Sequence, residues 1–348
     1  MEMGKAGREN LYKNVTVEVS ERINILKWIF IVMVVFIHSS ALPRMSQEIM
    51  TPQYVEICKK IITEGICSMA VSGFFLVAGF FLFRKHIVWS HNIKKKLHTI
   101  LIPYIIINTF WILLFALFSF IPSVAPFFEQ YRLNSTEDIV GAYLNGIPYY
   151  YPFWFLRDLF VMNIIAGILQ WLLERFPIAT VIGTVVIYFF IDIPVLVEND
   201  SFLFFIIGAC IARFSFNRKY IDKIPTYIIA IVYMGLILDS IYGQFIFTAA
   251  RNLIGILLVY RITQYIYNSK TRKFFVWSSQ FSFFIYAFHE YYEAIIKKIL
   301  FSYLPQSGTV QLLEYFLLPI CMVFVLMLAG NTMSKTTPKL YKVVCGQR

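Results

Sequence analysis

Charge is scarce in this sequence. Only 15% of its 348 residues are Asp, Glu, Lys or Arg, where a soluble globular domain carries about a quarter. That shortage excludes an ordinary water-facing surface. Cysteine is sparse as well: Cys58, Cys67, Cys210, Cys321 and Cys345 are scattered, odd in number and free of C-x-x-C spacing. They point to neither a disulfide framework nor a metal motif. No internal repeat is visible, and no connecting segment has room for a soluble domain. The first apolar stretch lacks a small-residue cleavage pattern at its end, so it reads as a retained span and not as a signal peptide. Acidic residues are outnumbered 20 to 31, for a net charge of +11. The basic residues sit in short clusters between apolar stretches, the pattern of the positive-inside rule and not of a nucleic-acid surface.

What is abundant is apolar and aromatic: 59% and 18% of the chain, with 35 Phe and 22 Tyr. The expected fold class is therefore all-α, a polytopic membrane protein of about ten transmembrane helices. Apolar stretches fall at 23–43, 66–85, 97–121, 151–173, 177–196, 201–216, 224–242, 245–265, 274–296 and 309–333. Alternate loops hold 22 Lys and Arg on one side and six on the other, which predicts both termini in the cytoplasm. The expected organisation is a cytoplasmic segment over 1–22, a membrane domain over 23–333 and a cytoplasmic tail over 334–348. The largest outer loop, 122–150, carries Ser135 and Asp138 in the spacing of a capping box. The outer segment 46–65 is amphipathic and suited to the interface.

Ionisable side chains inside a span are costly and mark functional sites. Lys27 and His38 share the first span with ten residues between them. Eleven helical steps bring them onto one face, roughly 16 Å apart along the axis. On the predicted topology the fourth span carries Arg157 and Asp158 about two turns below the outer surface, and the eighth carries Arg251 and Asn252 at similar depth. The ninth carries Ser282, Tyr286, His289 and Glu293 as one polar stripe, with Glu290 beside it. Four spans thus place His, Arg, Asp and Glu in one outer-half layer, the form expected of an active or binding site. Taken singly, each has a structural reading. A lone His packs, Arg157 neutralises Asp158, Glu293 pairs with His289, Lys94 to Lys96 signal topology, and Gly73 and Gly79 serve close helix packing. The shared depth favours a site.

Lys27-x10-His38 resembles the Arg/Lys-x10-His signature of the acyltransferase 3 family of membrane-bound O-acyltransferases. In chain order, Ser72-Gly73-Phe74-Phe75-Leu76 with Gly79 is similar to its second-span element, and Lys96 with Pro103-Tyr104 to its basic third-span entry, here with Thr99 at the second basic position. Phe153-Trp154-Phe155-Leu156-Arg157-Asp158-Leu159 resembles its WFL-R element, and Ser282-Phe283-Phe284-Ile285-Tyr286-Ala287-Phe288-His289 its late S-x-x-I-Y-x-x-H element. The resemblance implies transfer of an acyl group, usually acetyl, from cytoplasmic acetyl-CoA with no metal. The acceptor would be a hydroxyl of an envelope glycan, lipid-linked saccharide or exported small molecule, at a bacterial cell membrane. His38 is then the base or a transient acyl carrier. Arg157 orients the acceptor or stabilises the oxyanion, and His289 and Glu293 complete the pocket. Lys27, Lys94, Lys95 and Lys96 are expected to meet CoA phosphates. Trp154, Asp158, Tyr286 and Arg251 complete the expected substrate-binding set. A single channel would join donor and acceptor. The competing class is a transporter or flippase that uses the same intramembrane His, Arg and Glu without chemistry, against which stand the missing inverted repeat and the lack of paired Gly/Pro-broken spans.

Overall fold

The computed structural model describes residues 16–40, 51–122, 125–128, 132–144, 149–191, 197–214, 218–241 and 247–346. Every regular element among them is helical, as a bilayer requires of a segment that must satisfy its own backbone. In chain order these are α1 (Val17–Ser39), α2 (Gln53–Lys60), α3 (Met69–Phe83), α4 (Trp89–Lys96), α5 (Ile102–Ser119), α6 (Ala125–Phe128), α7 (Thr136–Leu144), α8 (Trp154–Ile164) and α9 (Ala166–Arg175). There follow α10 (Pro177–Phe190), α11 (Asn199–Arg213), α12 (Arg218–Lys223), α13 (Thr226–Ile241), α14 (Thr248–Tyr267), α15 (Arg272–Ser278), α16 (Ser282–Tyr303), α17 (Gly308–Thr336) and α18 (Pro338–Val344). Wide π-helical turns, Ile61–Cys67 and Leu97–Leu101, join α2 to α3 and α4 to α5.

Each of the ten apolar stretches holds helix. Among the described residues, four helical runs are long and apolar enough to cross a membrane: Val17–Ser39, Gln53–Phe83, Trp89–Ser119 and Gly308–Thr336. Tyr151–Ile164 with Ala166–Arg175, bent by 56°, makes five if counted as one span. The others are shorter or more polar. Arg251, Asn252 and Arg261 lower the hydropathy of α14, and His289, Glu290, Glu293 and Lys297 that of α16. The polar residues of interest are what take these helices out of the apolar class.

The chain divides into two compact units, Met1–His86 with Leu203–Asn331, and Ile87–Phe202 with Thr332–Arg348. In the first, α1 is the central helix. Thr16 caps it by accepting from Val19 N at 3.3 Å, with Glu18 in the first turn where the helix dipole favours an anion. Phe30, Ile31, Val34 and Val35 are buried against neighbouring helices. Two close crossings depend on missing side chains. A methyl at Gly73 would lie 2.2 Å from the Phe30 ring, and one at Gly79 would lie 2.0 Å from Phe205 O. Gly208 reciprocates on Leu76 O at 2.0 Å, so α3 and α11 cross backbone to backbone.

A buried ion cluster fixes the starting end of α1. Arg22, fully buried, donates from Nη1 and Nη2 to Asp222 at 3.1 and 3.0 Å. It also reaches Tyr260 O at 3.1 Å and Thr263 Oγ1 at 3.2 Å on α14. Arg261 adds a second cation at 3.3 Å from Asp222. Burial pushes the Asp222 carboxyl up, but Arg22 and Arg261 outweigh it and hold it below the ordinary aspartate value of 3.8.

In the second unit, Asn108 receives Tyr150 N at 2.8 Å and donates to Tyr104 O at 2.8 Å. The expected capping box forms at α7: Asp138 N donates to Ser135 Oγ at 3.0 Å and Ser135 N to Asp138 Oδ2 at 3.0 Å. The Asn134 N–H, which donates to Asp138 Oδ2 at 2.9 Å, and then Ser135, through its side chain and its N–H, hold the Asp138 carboxyl below its ordinary range. Within 46–65, residues 46–50 lie outside the described set; α2 supplies its amphipathic part. The 334–348 segment ends α17 and forms α18, whose Tyr341 and Val344 are buried.

Candidate active site

Helix α1 is unbroken from Lys27 to His38, so the two stand roughly 16 Å apart on one face. His38 lies in its last turn. Helix α16 brings His289 against it, ring centroids 4.9 Å apart and inclined at 69°. The next residue, Glu290, places Oε1 4.0 Å from His38 Nδ1. His289 is fully buried, while the His38 and Glu290 side chains are 17% and 21% exposed. The first imidazole therefore backs the second, and His38 with Glu290 forms the accessible edge.

His289 has a defined tautomer. Its Nδ1 lies 3.1 Å from Ile285 O and 3.0 Å from Tyr286 O. A carbonyl oxygen only accepts, so Nδ1 carries the proton of the neutral ring and Nε2 carries the lone pair. Tyr286, half-buried, sets its ring 6.5 Å from that of His289.

A lysine locks this end of α1. Lys297 Nζ donates to Ser39 O at 2.6 Å and His38 O at 3.2 Å, satisfying helix-terminal carbonyls that have no intrahelical donor. The same ammonium is 3.7 Å from Glu293 Oε1 one turn back on α16. Glu293, 1% exposed, thus belongs to the clamp on the backbone of His38. Glu290 is the carboxylate facing the imidazole.

Arg251, 2% exposed, lies in the first turns of α14 and reaches Ser68 Oγ at 3.4 Å. Ser68 donates to Asn252 Oδ1 at 3.1 Å, and Asn252 Nδ2 donates to Ser72 Oγ at 3.1 Å. Trp154, Arg157, Asp158 and Lys94 to Lys96 belong to the second unit. There Arg157 donates from Nε and Nη2 to Asp158 Oδ1 at 3.0 and 2.7 Å, and Glu198 N donates to Asp158 Oδ2 at 3.0 Å. Lys94 and Lys95 are exposed in the last turn of α4 and Lys96 is half-buried. Among the described residues, no three His, Cys, Asp or Glu side chains are grouped as metal ligands.

Two residues gain roles that the sequence left unassigned. Glu290 stood beside the polar stripe, and one step along the helix is what turns it toward His38. Lys297 follows the end of the apolar stretch 274–296, yet it is 5% exposed within α16. Its signal was the i, i+4 spacing from Glu293.

Residues 20–331 match the family described as an acyltransferase domain, acyltransferase 3. The succinoglycan biosynthesis protein ExoH of Rhizobium meliloti (strain 1021) is 22% identical over 357 residues, an alignment covering 95% of this chain and 93% of that protein. No solved structure matches.

Proposed function

The chain belongs to the acyltransferase 3 family and is a membrane acyltransferase, and on that premise we propose that it O-acetylates an envelope polysaccharide, a lipid-linked saccharide or an exported small molecule, with cytoplasmic acetyl-CoA as donor. The glycan acceptor is supported by the name of the ExoH relative, which assigns that protein to succinoglycan biosynthesis. The chemistry is supported chiefly by one observation: the His38 ring meets His289 at 4.9 Å, ring to ring, and its Nδ1 lies 4.0 Å from the Glu290 carboxylate.

In this reading His38 takes the proton of the acceptor hydroxyl as its oxygen attacks the thioester carbonyl. Glu290, on the Nδ1 side, stabilises the imidazolium that forms, as the carboxylate does in a Ser-His-Asp triad. The tetrahedral intermediate collapses, the carbon–sulfur bond breaks, and the imidazolium returns its proton to the departing thiolate. The products are an acetyl ester and CoA. His289 and Lys297 fix the ring from behind and from the backbone. Lys27, Lys94, Lys95 and Lys96 are the residues we assign to CoA phosphates.

The test is purified protein in liposomes given acetyl-CoA labelled in the acetyl group. Label passing to water or to an added polysaccharide supports the enzyme. Intact acetyl-CoA after many hours, with an acceptor present and the protein folded, removes the reading and leaves the transporter class.

A further inference from the structure

Arg251 is a buried cation whose charge is unmatched among the described residues. Its Nε and Nη1 are buried without a hydrogen-bond partner, and none of the described carboxylates pairs with it. Among the described residues its one side-chain hydrogen bond is the long one to Ser68 Oγ at 3.4 Å. The neighbouring polar groups are tied to one another: Ser68 donates to Asn252 Oδ1, Asn252 donates to Ser72 Oγ, and Tyr233 OH donates to Gly65 O at 2.9 Å. The Nε–H and Nη1–H of the guanidinium remain as unused donors among the described residues. Arg251 also sits near the N-terminal end of the 20-residue helix α14, where the helix dipole opposes a cation and favours an anion. A desolvated guanidinium in that position is costly unless a negative group joins it.

Its depth relates it to His38. Helices α1 and α14 run antiparallel, registered by Arg22 on Tyr260 O and Thr263 Oγ1. From there His38 lies about 24 Å along α1 and the Arg251 backbone about 16 Å along α14. An Arg side chain leans toward its own helix N-terminus, closing much of the difference. The α3 register agrees. Gly73 packs on Phe30, which puts Ser68 about 7 Å and His38 about 12 Å beyond that crossing. Arg251 therefore lies within about one helical turn of the His38 layer.

We propose that Arg251, backed by Ser68 and Asn252, binds an anionic group of the acceptor, a carboxylate or a phosphate. The inference rests on the reading of His38 as the acetyl-transfer site. Such a contact would favour acidic sugars or phosphate-linked saccharides over neutral ones, since neutral acceptors leave the guanidinium uncompensated.

The experiment reads binding without turnover. Thermal unfolding of the purified protein is followed with graded glucuronate, inorganic pyrophosphate or neutral glucose, at constant ionic strength. One of the two anions should raise the wild-type Tm saturably while glucose does not. Response to glucuronate assigns a carboxylate, response to pyrophosphate a phosphate. Arg251→Gln should weaken that response roughly tenfold or more, and Arg251→Lys should keep part of it. If neither anion shifts the wild type, or if the variants respond like it, the inference fails. Where Arg251→Gln does not fold, Arg251→Lys and the wild-type comparison of anion with glucose decide. Anion binding without acetyl transfer would instead sink the enzymatic reading and leave the anion site standing.

Discussion

The imidazole of His38 is useful only because its backbone is held still. A C-terminal helical turn frays readily, yet here Lys297 ties down both His38 O and Ser39 O while Glu293 balances its charge. Lys297→Met removes both bonds and leaves Glu293 buried without its cation, which should cost about 3–5 kcal/mol. Chemical denaturation of the purified variant measures it, and a loss below about 1 kcal/mol would reduce the clamp to a passive contact. At this scale the sequence was partly legible. The x10 spacing and the polar stripe named His38 and His289. Glu290 stayed in the background because periodicity assigns a face only to within tens of degrees. Lys297 stayed hidden because a charge at the edge of an apolar run reads as loop.

Helix pairing is governed by the small residues of α3. Gly73 and Gly79 were legible as close-packing positions because glycine in an apolar span has few other uses. Their counterpart Gly208 was not, since no spacing in α11 singles it out. Gly79→Val puts carbon where Phe205 O already lies 2.0 Å from a methyl, and backbone cannot yield as a flexible side chain does. The variant should be destabilised by at least about 2 kcal/mol, seen as a lower Tm and a lower yield of monodisperse protein. An unchanged Tm would mean that α3 and α11 do not cross there. The capping box at α7 was read directly, for its two bonds link residues three apart and depend on nothing distant. The π-helical turn at Ile61–Cys67 carried no local signature, because it accommodates Tyr233 bonding to Gly65 O from another helix.

Across the whole molecule, hydropathy revealed where helices form better than how many span the bilayer. The polar residues that build the site dilute α14 and α16, and length alone does not restore them. Orientation rests on loop charge, and it is open to direct measurement. With native cysteines removed, Ser135→Cys in intact cells should react with a membrane-impermeant maleimide, placing the 122–150 loop outside. Reaction only after lysis would invert the orientation. Acid response is predicted from the Arg22–Asp222–Arg261 cluster. The folded Asp222 pKa is depressed, so as pH falls the unfolded chain takes up the proton first. The stabilisation is present above the ordinary value of 3.8 and is lost as pH drops through the folded value. Asp222→Asn should therefore be less stable than wild type at pH 7, with the gap narrowing toward and below pH 3.8. A gap that widens in acid would contradict the assignment.

The central claim is that His38 performs proton transfer with Glu290 beside it, and the rate of labelled acetyl transfer in liposomes tests it most directly. Wild type, His38→Ala and Glu290→Gln would be compared at saturating acetyl-CoA, after each variant is shown to be folded by thermal unfolding. The account predicts that His38→Ala loses about 10² to 10⁴ in kcat, and that Glu290→Gln loses a smaller factor in kcat with KM for acetyl-CoA little changed. A folded His38→Ala protein that turns over at near wild-type rate would contradict it.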